Sequence, residues 1–497
     1  MSHRLTRGAG VLLPIFSLPS PYGIGTLGKE ARKFADLLKA AGQKYWQVLP
    51  VGPTGYGDSP YQSFSAFAGN PYLIDLDILI EEGLLTEVEV NSKDFGERPE
   101  AVDYGLLYEN RFAVLRLAFS RFRPEGEVLR EREEFRRKHR EWLSDYCLFM
   151  ACKNALKGAP WSEWPEALRL RRPEALREAS ERLAEEIQFQ EFCQFCFFRQ
   201  WEKFRIYLKE KEISLIGDVP IYAAMDSADV WAHPEQFLLD EARRPKAVAG
   251  VPPDAFTELG QLWGNPLYDW EWMERDGFSW WRRRMRASAQ LFDVIRIDHF
   301  IGIARYYAVP AGAKDARSGS YFPGPGKKLL DVLEEEAGEA KIVAEDLGVF
   351  LPEVKALLTI SGYPNMKVLE FGFDGGADNE HAPHNYVPNC VVYGGTHDNE
   401  TMKGYLEGRQ DWDLAYAYNY FGVSDREALR KAMVRAAYAS VADAAVLQMQ
   451  DILGLGNEAR MNFPGHMGEN WRWRLLPEQA SPEVFETVRV YTGLYGR

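Results

Sequence analysis

The chain has 497 residues, of which 46% are hydrophobic, and its formal net charge is -14. This length suits two or three ordinary domains or one enlarged barrel, and the acidic balance argues against nucleic acids and anionic membranes as partners. Five cysteines do not suit a disulfide framework, and neither a signal peptide nor a membrane span is predicted, so we expect a soluble protein of the cytoplasm.

The first predicted elements are those of a β/α fold. A helix is predicted over 29–41, and the run Tyr-Trp-Gln-Val-Leu-Pro at 45–50 is predicted to form the first strand. A loop rich in Gly, Pro, Tyr and Ser follows over 52–70. Residues 72–76 are predicted as a second strand.

The texture of the chain changes over about 81–211, where charged residues alternate with Leu, Phe and Trp at helical spacing. This pattern predicts a helical insertion between early strands, within one catalytic domain that spans 1–497. Cys193 and Cys196 form a CxxC in this region, but their phenylalanine neighbours favour a buried helix face over half a zinc site.

The rest of the chain is predicted to return to strands, with one long outer helix from Ser424, a possible N-cap, to Gln450. The strands are predicted near 213–219, 291–298, 341–346, 366–373, 390–398 and 459–462.

A carboxylate closely follows the apolar part of four of these strands, at Asp218, Asp298, Glu345 and Asp398. That position places acidic side chains at the carboxyl ends of buried parallel strands, where a β/α barrel keeps its chemistry. The spacing of the last three also fits a barrel of eight units with about 31 residues each. The predicted fold is therefore a TIM (β/α)8 barrel with loop and largely helical insertions.

Two of these carboxylates suit the two roles that glycosidic-bond chemistry requires. Asp298 follows Arg296 by two residues, so strand alternation puts both on one face, where the guanidinium holds a nucleophilic carboxylate ionised. Taken alone, the pair also fits a structural ion pair at a strand end. Glu345 is the candidate general acid/base, and a loop carboxylate that caps a helix is the alternative.

The four segments around these carboxylates resemble the four motif regions of the α-amylase superfamily, in the form found in the 4-α-glucanotransferases. No histidine follows Asp218, where Ile221 and Tyr222 stand instead, and this departure matches the glucanotransferase branch. The resemblance covers nearly the whole chain and includes further motifs at 20–25, 57–62, 250–254, 260–266 and 462–465.

The resemblance implies a retaining transfer of an α-1,4-glucan segment to the 4-hydroxyl of an acceptor glucan or glucose. Asp398 would grip the 2- and 3-hydroxyls of the reacting sugar and help to distort its ring. His397 would donate a hydrogen bond to the same sugar, and Asp218 would brace the pocket floor through Arg296. For His299, a sugar contact and an ordinary buried histidine both remain open.

Sugar binding also needs aromatic surfaces, and loop aromatics are the candidates: Tyr56 on the acceptor side, Tyr61, and Trp263 in a Gly-marked loop. The resemblance makes Tyr61 the stacking platform for the sugar being cleaved. The other residues that it places at the substrate are Ser59 beside Tyr61, a lid of Asp254, Gln261 and Trp263 over the acceptor side, and Asn462 on the donor side.

We predict no cofactor, no metal and no obligate protein partner, with α-1,4-glucans and maltooligosaccharides as substrates and glucose as an acceptor. The nearest rival is an α-amylase-like hydrolase, which shares the barrel and the carboxylates but uses water. A rival of another class is a non-enzymatic glucan-binding protein on a decayed barrel. The intact acidic positions argue against that rival.

Overall fold

The computed structural model describes residues 3–55, 57–253, 257–348, 351–466 and 468–497. Eight strands form one parallel sheet in the order β10-β11-β12-β1-β2-β3-β6-β9, and four form a separate antiparallel sheet in the order β5-β4-β7-β8. The strands are β1 Gly8–Leu12, β2 Tyr45–Gln47, β3 Ser214–Val219, β4 Ala247–Val251, β5 Gln261–Pro266, β6 Val294–Ile297, β7 Arg305–Pro310, β8 Ser320–Pro323, β9 Lys341–Ala344, β10 Asn365–Val368, β11 Cys390–Tyr393 and β12 Ala444–Gln448.

Contacts between β9 and β10 bring the two ends of the parallel sheet together. The Ala344 N–H donates to the Pro364 carbonyl at 2.9 Å, at the end of β9. Next in the chain, the Asp346 carboxylate accepts a hydrogen bond from the Met366 N–H at 3.0 Å. The sheet is therefore nearly closed into a barrel, and the predicted β/α barrel is confirmed.

The side chains inside the barrel are apolar over most of its depth and polar at the carboxyl ends of the strands. Ile216 and Val294 belong to the interior cluster, and Asp218 and Arg296 follow them by two residues on the same faces. The parallel register pairs Asp218 with Arg296. The sequence thus places an acid and a base side by side above an apolar floor.

Helices surround the barrel, and the segment between β2 and β3 is mostly helical. The helices up to β3 are α1 Lys29–Ala40, α2 Leu76–Glu81, α3 Glu87–Asn91, α4 Tyr104–Arg121, α5 Gly126–Lys138, α6 Leu143–Ala155, α7 Glu166–Arg169, α8 Pro173–Arg182 and α9 Ala184–Glu210. The later helices are α10 Ala228–Ala232, α11 Trp270–Arg275, α12 Ser279–Leu291, α13 Ile301–Ala304, α14 Lys327–Ala337, α15 Pro352–Ser361, α16 Met402–Glu407, α17 Asp411–Phe421, α18 Arg426–Ala439, α19 Met449–Leu453 and α20 Pro482–Tyr495. Across the described residues, none of these helices has the length and apolar character that a membrane crossing needs.

Helix α9 supports the loop that follows β2. The Gln194 side chain bonds both the N–H and the carbonyl of Gly69, each at 2.8 Å. A Cβ atom at Gly69 would overlap the Phe197 ring, so only glycine allows the loop to approach the helix this closely. Helix α9 therefore fixes the loop that carries Tyr61. That 81–211 forms a subdomain of its own stays a prediction.

Two predictions for the N-terminal region are wrong. The run at 45–50 is the second strand of the barrel, because β1 precedes it at Gly8–Leu12 and pairs with it. Residues 72–76 are not a strand, since Pro71–Leu73 is a 3-10 helix and α2 begins at Leu76. Asn70 and Asp75 cap these two helices through their side chains, which outweighs the strand-like composition between them.

The prediction for the C-terminal region is also wrong in part. Helix α18 begins after Asp425, whose side chain caps it, and ends at Ala439, so the predicted helix does not continue to Gln450. The last barrel strand is β12, whereas the predicted strand at 459–462 is partly a 3-10 helix, Asn457–Ala459. A short, fully buried strand lacks alternation, and periodicity cannot distinguish it from a helix.

Candidate active site

The buried guanidinium of Arg296 joins two carboxylates at the barrel mouth. Its Nη1 donates to Asp218 Oδ1 at 2.6 Å and Oδ2 at 2.7 Å, and to Asp298 Oδ1 at 3.0 Å. The Asp218 side chain is fully buried, whereas that of Asp298 is 24% exposed. Arg296 thus neutralises a buried acid and presents an accessible one.

The carboxylate of Glu345 is held by the backbone at two points. Its Oε2 accepts from the His299 N–H at 2.7 Å, and its Oε1 accepts from the Leu347 N–H at 2.8 Å. His299 has a left-handed backbone with φ of 49°, which is uncommon for a residue other than glycine. This turn, directly after Asp298, is what aims the N–H at Glu345.

The two carboxyl groups share one region and oppose each other's ionisation. Burial raises the pKa of Asp298, and Arg296 acts against this rise. Burial also raises the pKa of Glu345; Arg296 and the two backbone N–H groups lower it, and the charge of Asp298 raises it further. Because the guanidinium bonds Asp298 directly, we assign the negative charge to Asp298 and the proton to Glu345.

Asp398 lies at the same mouth in a different electrostatic setting. Burial opposes its ionisation, but His397 and the hydrogen bond from Asn462 hold the pKa of Asp398 well below its usual range. The Asn462 Nδ2 donates to Asp398 Oδ1 at 2.6 Å, and His397 Nε2 lies 3.3 Å from Oδ2. The Asp398 side chain is 45% exposed, so a carboxylate that is charged at neutral pH faces the mouth.

Tyr61 links this acid to the Arg296 pair. Its hydroxyl donates to Asp218 Oδ2 at 2.8 Å and lies 2.8 Å from His397 Nε2. The Tyr61 and His397 rings are stacked, with centroids 5.2 Å apart. The carboxylates that follow β3, β6 and β11 therefore belong to one hydrogen-bonded and ionic network, and Glu345 stands beside Asp298 within it.

Some of the remaining predicted binding residues lie around this network. Ser59 Oγ accepts a hydrogen bond from the Tyr61 N–H at 3.3 Å, which places it in the turn before Tyr61. Trp263 packs edge-to-face on the His299 ring at 4.8 Å, and its Nε1 donates to Gln261 Oε1 at 3.1 Å. The loop assignment of Trp263 is wrong, since it and Gln261 lie in β5. Two predicted residues, Tyr56 and Asp254, lie outside the described residues.

Sequence reasoning missed two residues of the site. Arg460 Nη2 donates to the Asp398 carbonyl at 2.8 Å, and the buried Trp471 ring lies 5.8 Å from Tyr61 and 6.0 Å from His397. The proximity of Arg460 to Asn462 in the chain was an available signal. Trp471 gave none, because it is one of 14 tryptophans in a chain with a large aromatic core.

Chemically, the network offers an ionised carboxylate, a protonated one and a third that stays charged. The first can attack a carbon centre, the second can protonate a leaving oxygen, and the third can bind hydroxyl groups. Within the part of the chain that the structure describes, no group of three or more His, Cys, Asp or Glu side chains has the arrangement of a metal site.

Comparisons with known proteins match the chain along nearly its full length. The family model described as 4-alpha-glucanotransferase matches residues 13–479. The 4-alpha-glucanotransferase of Thermus thermophilus is 50% identical over 489 residues, which cover 96% of this chain and 97% of that protein. The 4-alpha-glucanotransferase of Clostridium butyricum is 44% identical over 486 residues, covering 97% of this chain and 99% of that one.

Solved structures agree with these matches. The amylomaltase from Streptococcus agalactiae in complex with acarbose superposes with a TM-score of 0.96 at 40% identity, and the match covers 99% of each chain. The amylomaltase from Corynebacterium glutamicum gives a TM-score of 0.81 at 19% identity over 98% of this chain and 75% of that chain, which shows a shared fold.

Proposed function

The chain belongs to the 4-alpha-glucanotransferase family and is a transferase that acts on glucans, and from this premise we propose that Asp298 is its nucleophile and Glu345 its general acid/base. One observation carries the assignment: Arg296 bonds Asp298 directly, whereas buried Glu345 has no such cation contact among the residues that the structure describes. The remaining steps follow from that difference in charge.

In the first step, Asp298 attacks the anomeric carbon of the donor glucan. The bond from that carbon to the departing glycosidic oxygen breaks, and the oxygen takes the proton of Glu345. A β-linked glycosyl-enzyme forms on Asp298. Asp398 binds hydroxyl groups of the same glucose, and its low pKa keeps it a charged acceptor throughout.

In the second step, the 4-hydroxyl of an acceptor glucan or of glucose attacks the same carbon. Glu345, now ionised, takes the hydroxyl proton, and the bond to Asp298 breaks. Two inversions give a product with the α configuration of the donor. The two backbone N–H groups on Glu345 support this reversal, because they stabilise its ionised form while burial favours its protonated form.

We assign α-1,4-glucans and maltooligosaccharides as donors, with Tyr61, Ser59, Gln261, Trp263 and Asn462 as binding residues. We propose that residues 1–497 form one catalytic domain. All five cysteines are buried and unpaired, which supports a reducing compartment and hence the cytoplasm.

The test is a product analysis after incubation of the purified enzyme with maltotriose alone. Transfer gives glucose and a ladder of longer maltooligosaccharides, with no net gain in reducing ends. Hydrolysis gives glucose and maltose with rising reducing ends and no longer products. The second pattern would contradict the acceptor assignment, and the absence of any product would favour a glucan-binding protein.

A further inference from the structure

Arg460 lies between the two chain segments that carry Asp398 and Asn462. Its Nη2 donates to the Asp398 carbonyl at 2.8 Å, and its Nε donates to the Asn462 carbonyl at 2.8 Å. The side chains of these two residues also meet, since Asn462 Nδ2 donates to Asp398 Oδ1 at 2.6 Å. One guanidinium therefore fixes the backbone on both sides of a side-chain contact at the barrel mouth.

The same guanidinium covers the ring of Phe463, with its central carbon 4.0 Å from the ring centroid. The backbone of Phe463 is held by Asn470, whose Oδ1 accepts from the N–H at 2.9 Å and whose Nδ2 donates to the carbonyl at 3.2 Å. The ring is nevertheless 41% exposed. A lone exposed ring needs no explanation, but this one directly follows Asn462, which bonds Asp398, and a cation covers one of its faces.

We propose that Arg460 is a positioning residue that holds Asp398 and Asn462 in the arrangement that grips the reacting glucose, and that the Phe463 ring stacks on a neighbouring glucose of the donor. The inference rests on the proposed function, because the position of Asp398 matters only if Asp398 contacts the sugar. A pyranose offers its C–H face to an aromatic ring, and the cation on the opposite face keeps the ring in place.

The chemistry of this position requires arginine in particular. A planar guanidinium can donate to two carbonyls in different directions and still lie flat on a ring, whereas a lysine ammonium is a compact point charge. A second role is available, since the carboxyls of Glu400 and Glu370 face Arg460 and interact with its charge. Lysine would preserve that role and lose the geometry, so R460K separates the two.

The experiment measures kcat and KM for disproportionation of maltotriose by wild type, R460A and R460K. We expect R460A to lower kcat by about 10- to 100-fold, because small displacements of a sugar-binding group cost rate more than affinity. KM should change by less than about threefold. R460K should recover less than about a tenth of the lost activity. Full activity in R460K would overturn the positioning role.

The matched control for Arg460 is R409A. The guanidinium of Arg409 also faces this acidic region, with Nη1 3.7 Å from Glu400 Oε2, and it covers Tyr405 at 4.6 Å. The R409A variant thus removes a cation from the same acidic region and leaves both backbone hydrogen bonds of Arg460 in place. We expect R409A to stay within about threefold of wild type. A loss equal to that of R460A would mean that charge, and not position, is what Arg460 supplies.

A second comparison tests the ring. F463A should raise KM for maltoheptaose about fivefold or more and leave kcat near wild type, because stacking contributes to ground-state binding and transition state alike. F322A is its control, since Phe322 is an exposed phenylalanine of β8 that stacks on Tyr306. Equal KM values in F463A and wild type would contradict the proposed stacking of a glucose on Phe463.

The outcomes separate failure of this inference from failure of the proposed function. If D298N keeps its activity, the proposed function fails first. If D298N is inactive and R460A behaves as wild type, only the inference fails. A double-mutant cycle with N462A should be strongly non-additive, because Arg460 acts through that residue. Additive losses would contradict the inference, and R460K carries the test if R460A does not fold.

Discussion

Two groups of carboxyls lie at the same end of the barrel, and only one of them combines direct bonds to a buried cation with access to solvent. The mouth group is Asp218, Asp298, Glu345 and Asp398. The rear group, Glu370, Glu400 and Asp451, lies behind the segment that leads from β11 to Asp398. The two groups are close: a Cβ atom at Gly395 would lie 2.7 Å from Glu370 Oε1, and one at Gly394 would lie 2.9 Å from Asp451 Oδ2.

The difference between them lies in cations and access, not in the number of acids. Arg296 bonds two mouth carboxylates at 2.6 to 3.0 Å, whereas the ion pair of Glu400 with Arg409 is 3.7 Å long. Glu370 and Asp451 are almost fully buried, and each has one carboxyl oxygen without a hydrogen-bond partner among the described residues.

Burial therefore favours the neutral form of two rear carboxyls, Glu370 and Asp451. Burial raises the pKa of Glu370 well above its usual range, and the charges of Asp451 and Glu400 raise it further. Burial likewise raises the pKa of Asp451, to about 7. A carboxyl cluster thus becomes reactive where a buried cation keeps one member charged and solvent can reach that member.

The largest expected effect separates two aspartates that follow barrel strands. D298N should lower kcat for transfer by about 10⁴-fold or more, as removal of a covalent nucleophile does. D451N is the matched change in the rear group and should leave kcat within about threefold. Disproportionation of maltotriose measures both. A comparable loss in the two variants would break the distinction between the groups.

The next effect separates two glutamates in the same way. E345Q should lower kcat by about 10²- to 10⁴-fold, because it removes the proton donor and acceptor. In wild type the pKa of Glu345 is raised, so its proton is present below that pKa and transfer should fall as the pH rises through it. E345Q should lack this alkaline decline.

E370Q is the control for that change, and its pH profile should follow that of wild type. Asp346 offers a second control, since it adjoins Glu345 but accepts from Met366 and Asn365 and so helps to close the barrel. D346N should affect stability more than kcat. A flat alkaline limb in wild type would contradict the role of Glu345.

Position relative to the strands alone does not separate the two groups; the motif resemblance does. Glu370 and Asp451 also lie within a few residues of strand ends, after β10 and β12, so a position near a strand end does not by itself mark Asp298 and Glu345. What was predictable was the relation of Arg296 to Asp298, because it needs only strand alternation. The clamp on Glu345 was not, since it depends on the left-handed backbone of His299 in another loop.

The fold was predictable where strands have β-branched runs, as in β9 and β11, and unpredictable where packing overrides propensity. The sequence of β1 is Gly-Ala-Gly-Val-Leu, which is a poor strand by composition. A Cβ atom at Gly10 would overlap Tyr45, so the close approach of β2 requires glycine here. The same glycine makes β1 hard to recognise as a strand in the sequence. The start of β12 is rich in alanine, which favours helix, so the predicted helix continues from α18 into the sequence of β12.

Removal of the cation tests the comparison from the other side. R296M removes the cation that bonds both Asp218 and Asp298, so burial should favour the protonated form of Asp298, as it does for Glu370 and Asp451. We expect kcat to fall by about 10²-fold and the free energy of unfolding to fall by about 3–5 kcal/mol. Calorimetry and kcat measure the two effects. R296K should recover part of the stability, and an unchanged pH profile in R296M would contradict the charge assignment.

The smallest effect concerns stability alone and belongs to the rear group. The pKa of Asp451 is raised in the folded state, to about 7, so from about pH 4 up to that value the folded protein binds a proton that the unfolded chain lacks. Stability from this group is therefore lost as the pH rises through that window. The loss reaches a few kcal/mol at most, because a tenfold difference in proton affinity between the folded and unfolded states corresponds to about 1.4 kcal/mol.

D451N tests this loss, since it cannot titrate and the Met402 N–H can still donate to its amide oxygen. The unfolding temperature of D451N should fall less than that of wild type between about pH 5 and about pH 8, while other titrating groups cancel in the difference. Parallel curves would mean that Asp451 is already charged at the acidic end of that range. Asp451 would then differ from the mouth carboxylates in access and not in charge.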